Sequence, residues 1–364
     1  MSPTRLIVVG PLPPPHHGVT VSTSLVVSNP ALHERFELRH LDTSDHRARG
    51  NIGRWEPRNI WLAVRAVGQL ALLLRGARGV VYLPLSQGAP GLVRDSMFVH
   101  LASMRGWKVA VHLRGSEFRR FYANSGPILR RWIRSTLGRV DAVAVLGESL
   151  RDAFDGLVPR DKISVVGNGT PEPGPTEEAR DPEHVLFLSN LRRRKGIVQA
   201  IDTALIVLRS RREARFTFVG AWEDAALERE LRARAEAADG HIEFRPPASG
   251  SDKDRLLASA AVLLFPPIEP EGHPRVVLEA LAAGVPVVAT DRGAIRETIV
   301  DGESGFVLPD ADPGQLADRV LRLLQDAALR DRLSKAARDR YLGCFTQEHA
   351  DRRLAEWLGS VADA

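Results

Sequence analysis

Short apolar, β-branched runs alternate with longer amphipathic runs along nearly the whole chain of 364 residues. Ten of these runs have the length and composition of buried strands, and helical patterns lie between most of them. The ten runs are RLIVVG, GVVYLPL, KVAVHL, DAVAVLG, ISVVGNG, HVLFLSN, RFTFVGA, HIEFRPP, AVLLFPP and PVVATD. Strands of this kind, alternating with helices, form parallel sheets that helices cover on both faces. The predicted fold class is therefore α/β, with doubly wound parallel sheets.

The strand runs form two series, separated by the segment GTPEPGPTEEARDPE. This segment is rich in proline, glycine and acidic residues and has no apolar periodicity, as is typical of a linker. We predict a Rossmann-like domain over 1–172, a linker over 173–183 and a second Rossmann-like domain over 184–343. A last amphipathic helix over 344–364, with Thr346 as a possible N-cap, is expected to pack back toward the first domain. Ligands are expected in a cleft where the carboxyl ends of the strands converge.

Composition limits the classes of protein that this chain can belong to. A single cysteine, Cys344, excludes an internal disulfide and a zinc site built on several thiolates, and favours a reducing, cytoplasmic location. The segment IWLAVRAVGQLALLLRG is interrupted by Arg65 and too short to span a membrane, so we predict a buried amphipathic helix. The net charge of +5 suits anionic partners such as nucleotides, diphosphates or acidic lipids. A genome that favours arginine explains this charge equally well.

Two glutamates eight residues apart, Glu271 and Glu279, stand in the segment EPEGHPRVVLEALAAGVPVVATD. The pattern predicts a loop, a helix, a glycine turn and a strand. The N-terminus of such a helix carries partial positive charge and unpaired N–H groups, so a diphosphate could rest there. A nearby carboxylate could accept hydrogen bonds from hydroxyl groups. In the alternative interpretation, Glu279 is only a favourable acid near a helix start and Glu271 is a solvated loop residue.

The whole segment resembles the signature of retaining glycosyltransferases of family 4, which have the two-Rossmann-domain GT-B architecture. The shared features are a Glu, seven residues, a second Glu, a helix of small residues and the strand GVPVVAT. The resemblance implies an acceptor-binding first domain and a second domain that binds a nucleotide sugar. The implied reaction transfers a sugar from a nucleotide-diphosphate donor to a hydroxyl with retained configuration. Neither a cofactor beyond the donor substrate nor a metal is implied.

The resemblance also implies roles for individual residues. Lys195 would stabilise the departing diphosphate, Glu271 would hold hydroxyls of the donor sugar, and Glu279 would bind the ribose. The implied mechanism is front-face displacement, so Glu271 is not expected to be a nucleophile. Further donor-binding candidates are Gly272, His273, Arg275, Val276, Asn190, Arg194 and Gly220.

One donor-site position departs from the family pattern. The family has an arginine where this chain has Asn190. Arg192, Arg193 or Arg194 could supply the missing charge, but three adjacent arginines are also typical of a solvated helix entry. His273 is unusual in the tetrad EGHP and could tune the choice of donor.

In the first domain, the loop VVGPLPPPHHGVT places His17 and Gly18 between a strand and a helix. A glycine there lets a phosphate or substrate approach the helix N-terminus, whereas exposed loop histidines are commoner than ligand-binding ones. The strand KVAVHLRG ends in His112 and Arg114, where the family often has His-Gly. We predict His112 as a catalytic group that orients donor or acceptor, with a satisfied buried histidine as the alternative. Which of His112 and Arg114 faces the cleft stays open.

The stretch from Arg114 to Arg139 contains seven arginines and one acid, interleaved with aromatic residues. Such a mixture can dock on an anionic membrane surface, although a solvated helix face is the simplest interpretation. No nucleic-acid motif is present, so we expect no nucleic-acid partner. The expected acceptor is a glycan or a polyprenyl-linked sugar of cell-surface polysaccharide assembly. Alternatives are transfer to a small-molecule aglycone, an epimerase-like sugar-nucleotide enzyme and an anion-binding protein of the same fold.

Overall fold

The computed structural model describes residues 3–14, 18–44 and 57–364, and these residues divide into two compact units. The first unit comprises Met1–Gly167 together with Ala350–Ala364, and the second comprises Asn168–His349. The segment predicted as a linker, 173–183, therefore lies within the second unit. Arg180 attaches it there, because its guanidinium donates hydrogen bonds to the carbonyl groups of Ala283 and Gly284.

The first unit contains a parallel sheet of six strands in the order β2-β1-β3-β4-β5-β6. Its strands are β1 (Thr4–Gly10), β2 (Phe36–Asp42), β3 (Gly79–Pro84), β4 (Lys108–His112), β5 (Ala142–Val145) and β6 (Ile163–Val165). Its described helices are α1 (Gly18–Val27), α2 (Pro30–Arg35), α3 (Pro57–Leu73), α4 (Ala89–Met104), α5 (Phe118–Ala123) and α6 (Pro127–Leu137). Helices α3, α4 and α6 share one apolar core with one face of the sheet, while α1 and α2 pack on the other face.

The second unit contains another parallel sheet of six strands, in the order β12-β11-β10-β7-β8-β9. Its strands are β7 (His184–Leu188), β8 (Arg215–Val219), β9 (Ile242–Arg245), β10 (Val262–Phe265), β11 (Val287–Thr290) and β12 (Gly305–Leu308). Its helices are α7 (Ile197–Ser210), α8 (Ala225–Ala235), α9 (Ser251–Ser259), α10 (Arg275–Ala282), α11 (Ile295–Thr298), α12 (Pro313–Gln325) and α13 (Ala327–Cys344). The order of the strands reverses between β7 and β10, which is the topological switch point where open α/β sheets bind ligands.

The last helix, α14 (Gln347–Asp363), contributes Leu354, Trp357 and Leu358 to the core of the first unit. Thr346 caps this helix, because its hydroxyl accepts a hydrogen bond from the backbone N–H of His349 at 3.2 Å. The unit boundary thus falls a few residues inside the predicted terminal segment.

The predicted fold class, α/β with two doubly wound parallel sheets, is confirmed. All ten predicted strands form, and two further strands, β2 and β12, complete the sheets. Both lie at a sheet edge, where a strand needs only one bonded neighbour. Strand β2 reads FELRHLD, and only Phe36 and Leu41 in it are buried, so it lacks the continuous apolar run by which we identified the central strands.

The segment expected to be a buried amphipathic helix forms α3, but its burial was predicted wrongly. Ala66 and Leu70 are buried, whereas Trp61 and Leu72 are 58% and 57% exposed. The apolar residues of this segment surround most of the helix, and the sheet covers only one side of it. No helix in the described part of the chain has the length and apolar character needed to cross a bilayer.

Candidate functional site

At the switch point of the second sheet, Lys195 and Glu271 form an ion pair. Lys195 follows β7 in a 3-10 turn, and Glu271 lies in the loop after β10. Lys195 Nζ lies 2.5 Å from Glu271 Oε1, and both side chains are more than four-fifths buried. The ammonium group also lies 5.8 Å from the centre of the Phe265 ring. Lys195, predicted to stabilise the diphosphate, and Glu271, predicted to hold the donor sugar, are therefore in direct contact.

Two glycines allow the backbone around this pair to approach so closely. Gly196 follows Lys195 with a φ of +77°, and a Cβ atom there would lie 1.8 Å from the carbonyl oxygen of Pro266. Gly293, in the turn after β11, has a φ of +60°, and its Cβ would lie 1.7 Å from the carbonyl oxygen of Glu271. Both positions combine left-handed backbone with a close approach that only glycine permits. The loop that carries Glu271 is thus fixed from both neighbouring strands.

Glu279 lies in the middle of α10 and pairs with a residue that we had not predicted. Lys253 Nζ, from α9, lies 2.7 Å from Glu279 Oε1, and both side chains are largely buried. The site therefore has two lysine–glutamate pairs, one at each of the glutamates eight residues apart. Lysine is rare in this chain, with five lysines against 45 arginines, so both pairs use the less common cation. No motif in the sequence indicated Lys253, because it lies 26 residues before its partner.

His273 is buried and bonded to the start of the second unit. Its Nδ1 accepts a hydrogen bond from the backbone N–H of Asn168 at 3.0 Å, and its carbonyl accepts one from Asn168 Nδ2 at 2.8 Å. The ring packs edge-on against Phe345. These contacts hold the loop before α10 in place. The hypothesis that His273 tunes the choice of donor stays a prediction, and its buried position favours a positioning role.

Three further predicted donor-binding residues lie around the N-terminus of α10. Gly272 accepts a hydrogen bond from the N–H of Ala294 through its carbonyl, at 3.0 Å. Arg275, the first residue of α10, donates a hydrogen bond to the carbonyl of Gly169 at 3.3 Å. Val276 follows it and is half-buried. The first turn of a helix leaves N–H groups that the helix itself cannot satisfy, so this end favours an anion.

This chain has Asn190 where the family has an arginine. Arg192, Arg193 and Arg194 are the candidates to replace it, and their contacts differ. Asn190 is exposed at the end of β7. Arg193 forms an ion pair with Glu230 of α8. Arg194 is half-buried, and its carbonyl accepts a hydrogen bond from the N–H of Ile268 in the loop that leads to Glu271. Arg192 is exposed. The backbone of Arg194 thus contacts the loop that leads to Glu271, and the role of its guanidinium stays a prediction.

Gly220, another predicted donor-binding residue, makes room for the backbone at the end of β7. A Cβ atom there would lie 1.9 Å from the carbonyl oxygen of Ser189. Its own N–H donates a hydrogen bond to the carbonyl of Arg245 at 3.1 Å. A side chain at this position would therefore clash with the backbone after β7, which explains the glycine.

His112, in the first unit, is completely buried. Its Nδ1 lies 3.2 Å from the hydroxyl of Tyr82, and its ring packs edge-on against Trp357 of α14. Burial and the neighbouring charge of Arg114 lower the pKa of His112 well below its ordinary value, whereas the Val166 carbonyl acts in the opposite direction. Arg114 is half-buried and donates a hydrogen bond to the same Tyr82 hydroxyl at 2.9 Å. The burial of His112 fits the alternative of a structural histidine, and Arg114 is the more accessible of the two.

The remaining predictions for the first unit have different outcomes. Gly18 is exposed and opens α1. His17 lies outside the described residues. In the basic and aromatic stretch from Arg114 to Arg139, Phe118 and Ile133 are buried in the core. Of the aromatic residues of this stretch, Phe118 is thus internal, Phe121 and Tyr122 are half-buried, and Trp132 is exposed.

The second unit matches a known protein family. Residues 171–340 match the family described as glycosyl transferases group 1. The family signature predicted from the segment around Glu271 and Glu279 is therefore confirmed for this part of the chain. Among the described residues, no group of three or more His, Cys, Asp or Glu side chains could hold a metal ion.

Curated relatives of this family domain include a phosphatidyl-myo-inositol mannosyltransferase of Mycobacterium leprae, 35% identical over 149 residues. Another is the amylovoran biosynthesis glycosyltransferase AmsK of Erwinia amylovora, 30% identical over 220 residues. These alignments cover 41% and 56% of this chain, and 39% and 52% of the relatives. The chain thus spans about half the length, or less, of the curated relatives it matches.

Solved structures share the fold across nearly the whole chain. HepE of Anabaena, solved with UDP and glucose, has a TM-score of 0.73 at 16% identity, over 98% of this chain and all of that chain. A glycosyltransferase of Rickettsia africae has a TM-score of 0.72 at 14% identity, over 98% of both chains. At this level of identity the similarity establishes the GT-B fold.

Proposed function

We propose that this protein is a retaining glycosyltransferase that moves a sugar from a nucleotide-diphosphate donor to a hydroxyl group of a glycan or lipid-linked acceptor. The observation that carries the proposal is the contact between Lys195 and Glu271 at the switch point of the second sheet. It brings a cation and a carboxylate to the place where such sheets bind nucleotides, next to the N-terminus of α10. The family of residues 171–340 supports the same reaction class.

The proposed roles follow from the charge and position of each group. Lys195 and the first turn of α10 stabilise the negative charge that develops on the departing diphosphate. Glu271 and Glu279 accept hydrogen bonds from hydroxyl groups of the donor sugar and of the ribose. Arg194 supplies the second positive charge near the diphosphate. Lys195 already neutralises Glu271, which fits a binding carboxylate better than a nucleophile.

The proposed reaction exchanges one bond at the anomeric carbon for another on the same face of the sugar. The bond from this carbon to the phosphate oxygen breaks, and the bond to the acceptor oxygen forms. The acceptor hydroxyl gives its proton to the departing diphosphate, so a nucleoside diphosphate and a glycoside are the products. We propose that no metal and no further cofactor takes part, and that His112 contributes through the position of Tyr82 and Arg114.

The acceptor class is inferred from the relatives. AmsK is named for amylovoran biosynthesis, and WcaL of Escherichia coli, 28% identical over 217 residues, is named as a putative colanic acid biosynthesis glycosyltransferase. These names favour assembly of a cell-surface polysaccharide. A polyprenyl-linked acceptor would lie in a membrane, so we also propose a cytoplasmic protein that contacts an anionic membrane surface peripherally.

The test begins with calorimetry on a panel of nucleotide sugars and with transfer assays on lipid-linked sugars. We expect binding of one or more donors, and loss of binding and turnover in Lys195→Ala and Glu279→Ala. The matched controls are Lys335→Ala and Glu303→Ala, which remove exposed side chains of the same types. Absence of binding by every donor would overturn the proposal.

Two further measurements test the retaining mechanism and the independence from metals. The anomeric configuration of the product, read by NMR, should equal that of the donor, and inversion would contradict the retaining mechanism. Turnover should survive exhaustive treatment with EDTA, and loss that Mg²⁺ or Mn²⁺ restores would contradict metal independence. Interconversion of the donor sugar without an acceptor would indicate the epimerase-like alternative.

A further inference from the structure

The exposed apolar side chains of this protein are concentrated on three neighbouring helices of the first unit. The described part of the chain has nine large hydrophobic residues that are exposed, and seven of them lie on α3, α4 and α6. They are Trp61, Val64 and Leu72 on α3, Met97 and Met104 on α4, and Ile128 and Trp132 on α6. On each helix their spacing of three, four, seven or eight places them along one side. We call the outer side of these three helices the outer helical face.

The three helices form one continuous layer. Helix α4 packs between α3 and α6, and all three share the apolar core beneath them with the same face of the sheet. An open notch of about 500 Å³ lies between α4 and α6 and is lined only by apolar surface. Its lining includes Val93, Ile128, Leu129 and Trp132. The layer therefore exposes apolar side chains on all three helices beside an apolar recess, as is typical of an interaction site.

The segment that contains these three helices, residues 57–140, is strongly positive in charge. Residues 57–140 contain fourteen lysines and arginines but only two acids, a net charge of +12, whereas the whole chain carries +5. The remaining 280 residues therefore carry −7. One of the two acids, Asp95, is buried and paired with Arg94. The three helices themselves carry six of the fourteen cations and one acid, a net charge of +5.

Several arginines of this face form no ion pair within the described part of the chain. Arg58, Arg65 and Arg131 are exposed, and within the described ranges no carboxylate forms an ion pair with them. Arg65 lies over the ring of exposed Trp61, with its guanidinium carbon 5.6 Å from the ring centre. Tryptophan beside arginine suits a boundary between apolar and aqueous phases, since each side chain has an apolar body and a polar end.

We propose that the outer helical face docks on an anionic phospholipid bilayer. The arginines bind the headgroups, and Trp61, Leu72 and Ile128 insert into the boundary of the acyl chains. A second copy of the chain fits less well, because two such faces would repel each other through like charge. The proposal deepens the membrane contact proposed above and identifies its surface, which includes α6 of the stretch 114–139 expected from sequence and adds α3 and α4.

The test is cosedimentation of the whole protein with vesicles, without donor or acceptor. We expect binding to vesicles of phosphatidylglycerol and phosphatidylcholine, weakening at high salt, and little binding to phosphatidylcholine alone. The triple variant Arg58→Gln, Arg65→Gln, Arg131→Gln should bind about a hundredfold more weakly, at roughly fivefold for each arginine near the surface. Its matched control, Arg212→Gln, Arg229→Gln, Arg332→Gln, removes three exposed arginines of the second unit and should bind like wild type.

A second variant tests the apolar part. Trp61→Gln, Leu72→Gln, Ile128→Gln changes three exposed side chains and should lower vesicle binding at least tenfold, whereas Leu342→Gln should not. Nucleotide-sugar binding by calorimetry should be unchanged in both triple variants, which separates failure of docking from failure of the transferase. Wild-type protein that ignores anionic vesicles would overturn the proposal. So would an apolar triple variant that binds vesicles normally but loses a dimer in light scattering, since the face would then bind a second copy.

Discussion

Lys253 of α9 donates a hydrogen bond to Glu279 of α10 at 2.7 Å, so a second helix holds the carboxylate proposed to bind the ribose. Without Lys253, this largely buried carboxylate would lose its counter-ion and its fixed position. The pair thus links two helices whose residues are far apart in sequence.

Removal of Lys253 tests whether this link matters for donor binding. We expect Lys253→Ala to weaken nucleotide-sugar binding roughly tenfold, about 1.4 kcal/mol, in line with a charge-assisted hydrogen bond. The KM for the donor should rise while kcat changes less, because the sugar and diphosphate contacts remain. Lys253→Arg should restore part of the affinity, and Lys335→Ala should have none of these effects. An unchanged donor KM in Lys253→Ala would show that the pair is only structural.

Gly293 is expected to be essential for the position of the loop that carries Glu271. Gly293→Ala would place a Cβ atom 1.7 Å from the Glu271 carbonyl oxygen, so the loop must move. Gly302 is the matched control, since its φ of +77° is similar but no atom lies within 4 Å of its Cβ. We expect Gly302→Ala to cost about 1 kcal/mol in unfolding free energy and Gly293→Ala about 2–4 kcal/mol with lost donor binding. Equal effects in urea unfolding and calorimetry would contradict this account.

We expect His273 to contribute to the stability of the folded protein and not to the choice of donor. His273→Leu would leave the buried N–H of Asn168 without its acceptor, which costs about 1–3 kcal/mol in unfolding free energy. Urea unfolding measures this loss, and the order of preference among nucleotide sugars should stay as in wild type. A changed donor preference at unchanged stability would instead favour the original hypothesis that His273 tunes donor choice.

Burial of His112 predicts a dependence of stability on pH. Because the pKa of His112 is lowered well below its ordinary value in the folded protein, the native ring stays neutral where the unfolded ring, with a pKa near 6.5, binds a proton. The unfolded state then binds more protons, so stability falls as pH decreases below about 6.5. The contribution approaches about 1.4 kcal/mol per pH unit.

The variant His112→Leu isolates this contribution. His184 also has a lowered pKa through burial, so wild type and variant must be compared at each pH. We expect urea unfolding between pH 7 and 5 to give a steeper loss of stability in wild type than in His112→Leu. Identical slopes would show that the native ring accepts a proton in this range.

Much of the architecture follows from the sequence, because strands that are buried on both faces need continuous apolar runs. Ten of the twelve strands could be identified from local pattern, as could the class of fold and the two glutamates of the family signature. Strand β2 could not, because charged residues interrupt its apolar ones, and β12 could not, because its run of four residues, GFVL, is short.

The tertiary structure decided which charged residues form pairs and which apolar side chains are covered. Sequence spacing identified Lys195, Glu271 and Glu279, but not that Lys195 contacts Glu271 or that Lys253 contacts Glu279, because these contacts join different strand–helix units. It indicated an apolar helix over α3, but not its exposed side. A local pattern records which residues are apolar, whereas burial depends on which neighbouring element covers them.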